Sequence, residues 1–456
     1  MILDIATTLE STPVRVAIGV LAATLVYVLW LELRKIPAKL FVLMATAFLD
    51  MVGLLIILPL LPFYAKSLGG DGIDIGVPGF SVHLGIGMVV ALLVSAFTVA
   101  QLLSAPAWGR FSDRFGRRPA LLVALGASAI AYVVFGFANS LFLLFLSRVV
   151  QGAGGGTVGV IQAYVADATE PENRTRSLGW LSAATNLGVA LGPVLGSFAV
   201  TLGEQSVRAG ASVRVGNSAP GVLAAVLCLV NMVFAWKYLR ESRTEHDGKL
   251  AAAKPGTSRQ AVWRVIEHSG EPASRLIWIY AIAMGAFQGV TTILALFLAD
   301  RFLVTEKTIG YFFMYIGAIS VFTRVLILGK AVDRLGEARL SRLGLVLLAS
   351  GIALMPLTSS MLMLALAVAL IPLGTAFTFP CVTALLSRVI ASHERGLYMG
   401  VQQTFGGFAR VVAPLWAGFA YDHLGMGVPF FTSAALVAGT IMLGLGMEGY
   451  TRARTA

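Results

Sequence analysis

The sequence predicts an all-α polytopic membrane protein: two six-helix bundles with pseudo-two-fold symmetry, plus one extra N-terminal transmembrane helix. Three observations carry that expectation. They are an apolar, charge-poor composition, a succession of membrane-length apolar runs, and a motif that returns in the second half. The 456-residue chain is 57% hydrophobic and 12% charged, with a mean hydropathy of +0.83. Soluble chains are roughly 45–50% apolar and about 25% charged. A chain this poor in charge cannot cover its surface with polar groups in water, and in lipid it does not need to.

A bilayer core about 30 Å thick takes roughly 20 consecutive apolar residues in helix. Runs that meet or approach this length fall at 14–33, 40–64, 86–108, 119–138, 141–166, 178–202, 219–239, 276–299, 309–328, 341–358, 361–387, 397–420 and 428–446. The first lacks the basic flank and small-residue cleavage site of a signal peptide. It reads instead as an extra helix outside a 12-helix core, within a leading unit 1–39. The polar stretch 240–275 is expected to be a cytoplasmic linker with an amphipathic helix near Gln260–His268. It separates an N-terminal bundle at 40–239 from a C-terminal bundle and short tail at 276–456.

Orientation follows from the excess of Lys and Arg in cytoplasmic loops. With the loop Arg34–Lys39 inside, 25 of the 34 basic residues fall on the cytoplasmic side and 6 outside. The N-terminus is therefore expected outside and the C-terminus in the cytoplasm, with the chain monomeric in a bacterial inner membrane. The net charge of +11 sits in short clusters between apolar runs, without the basic face that nucleic-acid binding needs. Cys228 and Cys381 each lie inside an apolar run, and the five histidines are scattered. No metal site, no catalytic constellation and no cofactor is expected. Gly152-Ala153-Gly154-Gly155-Gly156-Thr157 lacks the lysine and the preceding strand of a phosphate loop, so it reads as tight helix packing.

The repeat is explicit. Gly109-Arg110-Phe111-Ser112-Asp113-Arg114-Phe115-Gly116 returns in the second half as Gly329-Lys330-Ala331-Val332-Asp333-Arg334-Leu335-Gly336. Gly179 and Pro193 are likewise matched by Gly400 and Pro414, at nearly the same offset. Transporters built from such halves bind solute near the midplane and alternate access by rocking.

Gly109-x-x-x-Asp113-Arg114-x-Gly116-Arg117-Arg118 resembles the signature loop of the major facilitator superfamily. Arg148-x-x-Gln151-Gly152 is similar to that family's fourth-helix motif, and Gly188-x-x-x-Gly192-Pro193-x-x-Gly196-Ser197 to its antiporter motif. Leu49-Asp50-x-x-Gly53 with Pro59-Leu60-Leu61-Pro62 resembles the first helix of tetracycline and multidrug antiporters. Ser197 departs from the usual second glycine, and Glu337 replaces the basic residue that Arg117 supplies in the first copy. The loss of that charge predicts a weaker second gate. The resemblance implies the major facilitator fold and a proton-coupled antiporter that exports small amphipathic or drug-like solutes by alternating access. A carrier of a lipid, sugar or organic anion is the alternative, followed by a non-transporting scaffold or receptor. The expected partners are a small-molecule substrate, protons and membrane lipids.

Asp50 is the only acid placed deep in a membrane helix, where a charge costs at least about 2.5–3.5 kcal/mol. Apolar surroundings favour the neutral acid and a nearby cation favours the anion, so a carboxyl balanced between them can load and release a proton. Arg148, always charged, is its expected partner. Gln151 lies one turn on, and the resemblance gives this set its role in proton transfer. Gly109, Asp113, Arg114, Gly116, Arg117 and Arg118, with Asp167, Asp333 and Arg334, are expected to form the cytoplasmic gate. By resemblance, Arg117 pairs with Asp167. Gly188, Gly192, Pro193 and Gly196 share one helix face, where small residues let backbones approach, and the resemblance makes them the antiporter hinge. Gln101, Gln162, Asn186, Gln288, Tyr311, Tyr315, Gln402, Gln403 and Arg410 are the polar groups expected to line the substrate cavity, and Arg324 is expected to snorkel.

Overall fold

The structure is a computed structural model, and it describes residues 38–77, 80–155, 157–169, 174–210, 212–239, 241, 255–391 and 394–447. The expected leading helix 14–33 and most of the linker lie outside the described residues. Among the described residues, nine helical runs are long and apolar enough to cross a membrane. One of them, Ile309–Leu357, holds two crossings, and Arg395–His423 and the shorter Val428–Leu443 add two more. Twelve segments result.

The first segment is α1 (Ala38–Ile57) and α2 (Leu61–Gly69), joined by a 3-10 turn at Leu58–Leu60. Pro59 and Pro62 cause the break, since each removes a backbone N–H. A two-stranded antiparallel hairpin follows, β1 (Gly72–Val77) against β2 (Phe80–Gly85), which the all-α reading did not foresee. The second and third segments are α3 (Ile86–Phe115) and α4 (Arg117–Gly136). The fourth was expected as one helix but is broken near Gly155 into α5 (Leu141–Gly154) and α6 (Thr157–Asp167). The half closes with α7 (Arg174–Arg208) and α8 (Val213–Tyr238). The expected amphipathic helix is present as α9 (Pro255–Glu267).

The second half runs through α10 (Pro272–Phe302), α11 (Ile309–Phe322), a π turn at Thr323–Ile327, α12 (Leu328–Leu354), α13 (Met361–Val389), α14 (Arg395–His423) and α15 (Val428–Leu443). Gly336, at φ 73°, divides α12 between the eighth and ninth segments. Ser140 caps α5 by accepting the Leu143 N–H, and Ser360, its counterpart in the second half, caps α13 through the Met363 N–H. Such caps are worth about 1 kcal/mol.

The packing repeats with the sequence. Segment one packs on five as seven packs on eleven, three on six as nine on twelve, and two on four as eight on ten. Between the halves, α3 meets α14, and the pseudo-symmetric contact is that of α7 with α11. The outer faces carry exposed apolar side chains such as Leu103, Phe142 and Met442, as a lipid-facing surface requires.

Candidate functional site

Asp50 lies mid-way along α1 and is 8% exposed. Thr157, the first residue of α6, donates its hydroxyl to the Asp50 carboxylate at 2.7 Å. The carboxylate therefore meets the fourth segment just beyond the turn at Gly155. The break also leaves carbonyls without helical partners. Gln101 donates to the Gly155 carbonyl at 3.2 Å and Trp108 to that of Ala153 at 2.7 Å, both from α3. A discontinuous membrane helix is tolerated where neighbours satisfy the freed groups in this way.

Arg148 is 1% exposed, and its guanidinium carbon lies 5.3 Å from the centroid of the Phe135 ring. Among the described residues it forms no ion pair with Asp50, and its Nε and Nη2 have no hydrogen-bond partner. The expected direct pairing is thus absent from this arrangement. Tyr132, buried on α4, packs against the Asp50 helix. Its ring packs where Gly53 has no side chain, and a Cβ there would stand 3.2 Å from the phenol. Asn231, fully buried, donates to the Thr46 carbonyl one turn before Asp50 at 3.0 Å. Sequence reading missed Thr157, Tyr132 and Asn231, because nothing in an apolar run marks which polar residue faces the acid.

Gly188, Gly192 and Gly196 stack directly on the helix that carries Asp50. A Cβ at these positions would lie 2.6 Å from the Phe48 carbonyl oxygen, 2.6 Å from the Leu55 Cβ and 2.5 Å from the Ile56 carbonyl oxygen respectively. Pro193 continues this face toward the other half, where its carbonyl abuts Gly310. Ser197, the departure from the motif, accepts the Gly310 N–H at 3.0 Å and donates to the Glu306 carbonyl at 2.7 Å. Its hydroxyl joins the two halves.

The Asp113 loop is an ordered ion cluster. Arg117 binds Asp113 and Asp167, each at 2.9 Å, and donates to Ser112 at 2.5 Å. The expected Arg117–Asp167 contact is present. Gly116, at φ 100°, adopts a backbone that only glycine takes readily. Glu241, which sequence reading missed, accepts the backbone N–H groups of Arg117 and Arg118 at 2.9 and 3.1 Å. Arg118 in turn donates to the Trp236 carbonyl at 2.5 Å. Gly109 and Arg114 are exposed in this loop, and Arg114 stacks on Phe115. In the second copy Asp333 and Arg334 are exposed without an ion pair among the described residues, while Glu337 pairs with Arg388.

The other end, which bears the β-hairpin, is tied across the halves. The Asp422 carboxylate accepts the N–H groups of Gly87 and Met88 at 2.9 and 2.8 Å, capping the start of α3 from α14. Lys307 pairs with Glu204 at 2.5 Å and Lys66 with Asp300 at 3.5 Å. Ser95 donates to the Val411 carbonyl at 3.0 Å, near mid-membrane.

The expected cavity residues divide. Arg324 donates to Asn186 at 2.6 Å across the halves instead of snorkelling. Arg410 is half-buried and Gln162 exposed. Gln403 reaches the Tyr280 hydroxyl at 3.4 Å, and Gln402, fully buried, accepts from Thr383 at 3.4 Å. Tyr315 binds the Ala365 carbonyl within its own half, and Tyr311 is exposed at the hairpin end of α11. Gln288 lines a small crevice beside Pro59. An apolar groove of about 1240 Å³ between α9, α10, α14 and α15 contains none of these residues.

The sequence pattern of the Major Facilitator Superfamily matches residues 40–414 and again 325–452. The chain belongs to the major facilitator superfamily. Within that superfamily it is 26% identical over 375 residues to tetracycline resistance protein class B of Escherichia coli, covering 82% of this chain and 86% of that one. It is 26% identical over 412 residues to multidrug resistance protein 2 of Bacillus subtilis (strain 168), covering 89% and 93%. Among solved structures, the human organic anion transporter MFSD10 (TETRAN) superposes with a TM-score of 0.65 at 24% identity, over 90% of this chain and 100% of that one. A bacterial homologue of human Spinster, inward-facing and occupied, gives 0.66 at 14% identity over 90% and 95%. The major facilitator fold and a membrane-transport role follow.

Proposed function

We propose that this chain is a proton-coupled antiporter that exports small amphipathic, drug-like solutes across a bacterial plasma membrane. The observation that carries the reading is the isolation of Asp50: a carboxylate deep among apolar helices, held by the hydroxyl of Thr157 and without an ion pair among the described residues. An acid in that setting is free to exchange a proton when the halves move. Arg148, buried nearby and without an ion pair, opposes a second positive charge in the same pocket. The relatives named for tetracycline and multidrug resistance support drug-like solutes as the cargo.

The cycle follows from the two ends. The positive-inside pattern puts the Asp113 loop in the cytoplasm and the hairpin end outside. In this arrangement the outer end is sealed by Asp422 on α3, Ser197 on Gly310, and the Lys307–Glu204 pair. Opening outward breaks these contacts. Gly188, Gly192 and Gly196, stacked on the Asp50 helix, let α7 and α1 move as one close-packed unit.

The test uses purified protein in liposomes with an imposed pH gradient and a fluorescent dye as cargo. Asp50→Asn is expected to lose gradient-driven accumulation while equilibrium exchange of dye persists. Wild-type accumulation in that variant would end the proposal.

A further inference from the structure

The membrane interior of this chain holds one acid and three arginines: Asp50 against Arg148, Arg324 and Arg410. Arg148 is enclosed beneath Phe135 beside the proton site. The other two belong to the second half and have no carboxylate.

Arg324 lies in the π turn at Thr323–Ile327. Such turns are rare and concentrate at functional sites, because the extra residue re-aims a side chain. Gly317, two turns earlier, packs against Ala190 of α7, so this face of the eighth segment looks across the interface between the halves. The Arg324 guanidinium crosses that interface to the Asn186 carbonyl oxygen at 2.6 Å, and its Nε is buried without a partner. A neutral amide satisfies one N–H and leaves the charge uncompensated.

Arg410 is placed by the contacts of α14. Gly407 and Gly418 face α3 through Leu102 and Gly87, while Gly406, Ala409 and Ala413 face α10 through Tyr280, Gly285 and Gly289. Phe408, Val412 and Trp416 line the lipid-side groove. On a helix of 3.6 residues per turn, position 410 falls in the remaining sector, between the α3 and α10 faces. That sector points to the centre, where the halves meet. Gln403 shares it, two turns toward the cytoplasmic end. Arg410 is half-buried and has neither hydrogen bond nor ion pair among the described residues.

Guanidinium groups in low dielectric are expensive unless an anion and hydrogen-bond acceptors meet them. We propose that the chain's cargo is an organic anion, an amphipathic solute whose carboxylate, sulfonate or phosphate is received by Arg324 and Arg410 of the second half, with Asn186 and Gln403 as flanking hydrogen-bond donors. The inference rests on the antiport reading and adds the sign of the cargo's charge. A fork of guanidinium donors matches planar and tetrahedral oxyanions. The proton on Asp50 and the anion at the arginines occupy separate sites, so their exchange depends on the alternation of the halves and not on rivalry for one charge. One anion out for one proton in also moves two charges per cycle, which makes export sensitive to membrane potential.

The experiment compares fluorescein, an anionic dye, with ethidium, a cationic dye, on the full-length protein. Equilibrium binding is followed by fluorescence polarisation in neutral detergent, and gradient-driven movement in phosphatidylcholine liposomes. The expected result is tight binding of fluorescein, at least ten-fold weaker binding of ethidium, and a loss of about ten-fold in fluorescein affinity for Arg324→Gln and for Arg410→Gln. Arg410→Lys, which keeps the charge but not the fork of donors, is expected to recover only part of that loss. Preference for ethidium, or unchanged fluorescein affinity in both glutamine variants, overturns the inference. Asp50→Asn separates the two readings: it is expected to bind fluorescein as the wild type does and yet lose gradient-driven movement. Ethidium moved by the gradient through Asp50 would leave antiport standing and remove the anionic cargo.

Discussion

The two copies of the signature loop build the same joint with opposite charges. In the first half Arg117 opens α4 and pairs with Asp167 at the end of the fourth segment. In the second half Glu337 takes the place of Arg117, just after Gly336, and pairs with Arg388 at the end of the tenth segment. The expectation of a weaker second joint, based on the loss of a basic residue, overlooked that its partner changes sign as well. What the repeat keeps is a bond from the start of the third or ninth segment to the end of the fourth or tenth. Either polarity makes that bond.

The polarity nevertheless has a consequence at the helix start. A helix N-terminus favours an acid and disfavours a base. Glu337 satisfies that preference itself, directly after the left-handed glycine. Arg117 does not, and the first half borrows the carboxylate of Glu241, which accepts the N–H groups of both Arg117 and Arg118. The Gly116 position makes room for it, since a Cβ there would stand 2.4 Å from a Glu241 oxygen. The first joint thus gathers Ser112, Asp113, Arg117, Arg118, Asp167 and Glu241, where the second rests on the Glu337–Arg388 bridge.

The largest effect is therefore expected in the first half. Arg117→Glu removes bonds to Asp113, Asp167 and Ser112 together and gathers acids around Glu241. Arg117 has a side chain only 13% exposed while its acidic partners are 38–57% exposed, so the loss is discounted to about 3 kcal/mol from the 1.5–3 kcal/mol typical of each charged hydrogen bond. Transport is expected to fall at least ten-fold, and adding Asp167→Arg is expected to recover little, because the bonds from Arg117 to Asp113 and Ser112 are not restored. Recovery to wild-type rates in the double variant would show that the cluster is only a pair.

A smaller effect is expected in the second half. Glu337→Arg alone breaks the bridge, and adding Arg388→Glu restores a pair of reversed polarity. Transport assays in liposomes are expected to show the double variant regaining most, but not all, of the activity. The shortfall reflects a base at a helix start with no counterpart of Glu241, a penalty of about 0.3–1 kcal/mol. Complete recovery would mean that the helix start is indifferent to sign.

Much of this architecture was legible before any coordinates. The apolar runs and the near-constant offset of the repeated motifs give the twelve-segment, two-half design, and the family resemblance of the Asp113 loop gives the Arg117–Asp167 contact. Asp50 stood out because no other acid lies so deep. What escaped was whatever depends on which side of a helix faces inward. Thr157 looked like part of a glycine-rich packing run, yet its hydroxyl holds Asp50. Arg148 looked like the direct partner of Asp50, yet its guanidinium lies against Phe135. Arg324 looked able to reach the lipid surface, yet a π turn sends it to Asn186. Asp422 and Glu241 are acids at segment ends, where charge is common, and only tertiary contact reveals them as caps on distant helices.

The smallest effect sharpens the comparison most, because it touches one half alone. Glu241→Gln keeps an oxygen that can accept one N–H but loses the charge and the second acceptor. The cost at the start of α4 is expected to be about 1 kcal/mol, in the range of a lost helix cap, which corresponds to roughly five-fold more frequent local opening. Hydrogen exchange of the Arg117 and Arg118 amides should speed by that factor, while the helix start at Glu337 stays as protected as before. Equal change at both sites would mean that the variant loosens the whole bundle. No change at either would mean that the first half tolerates its basic helix start unaided, and the physical account of why the two joints differ would fail.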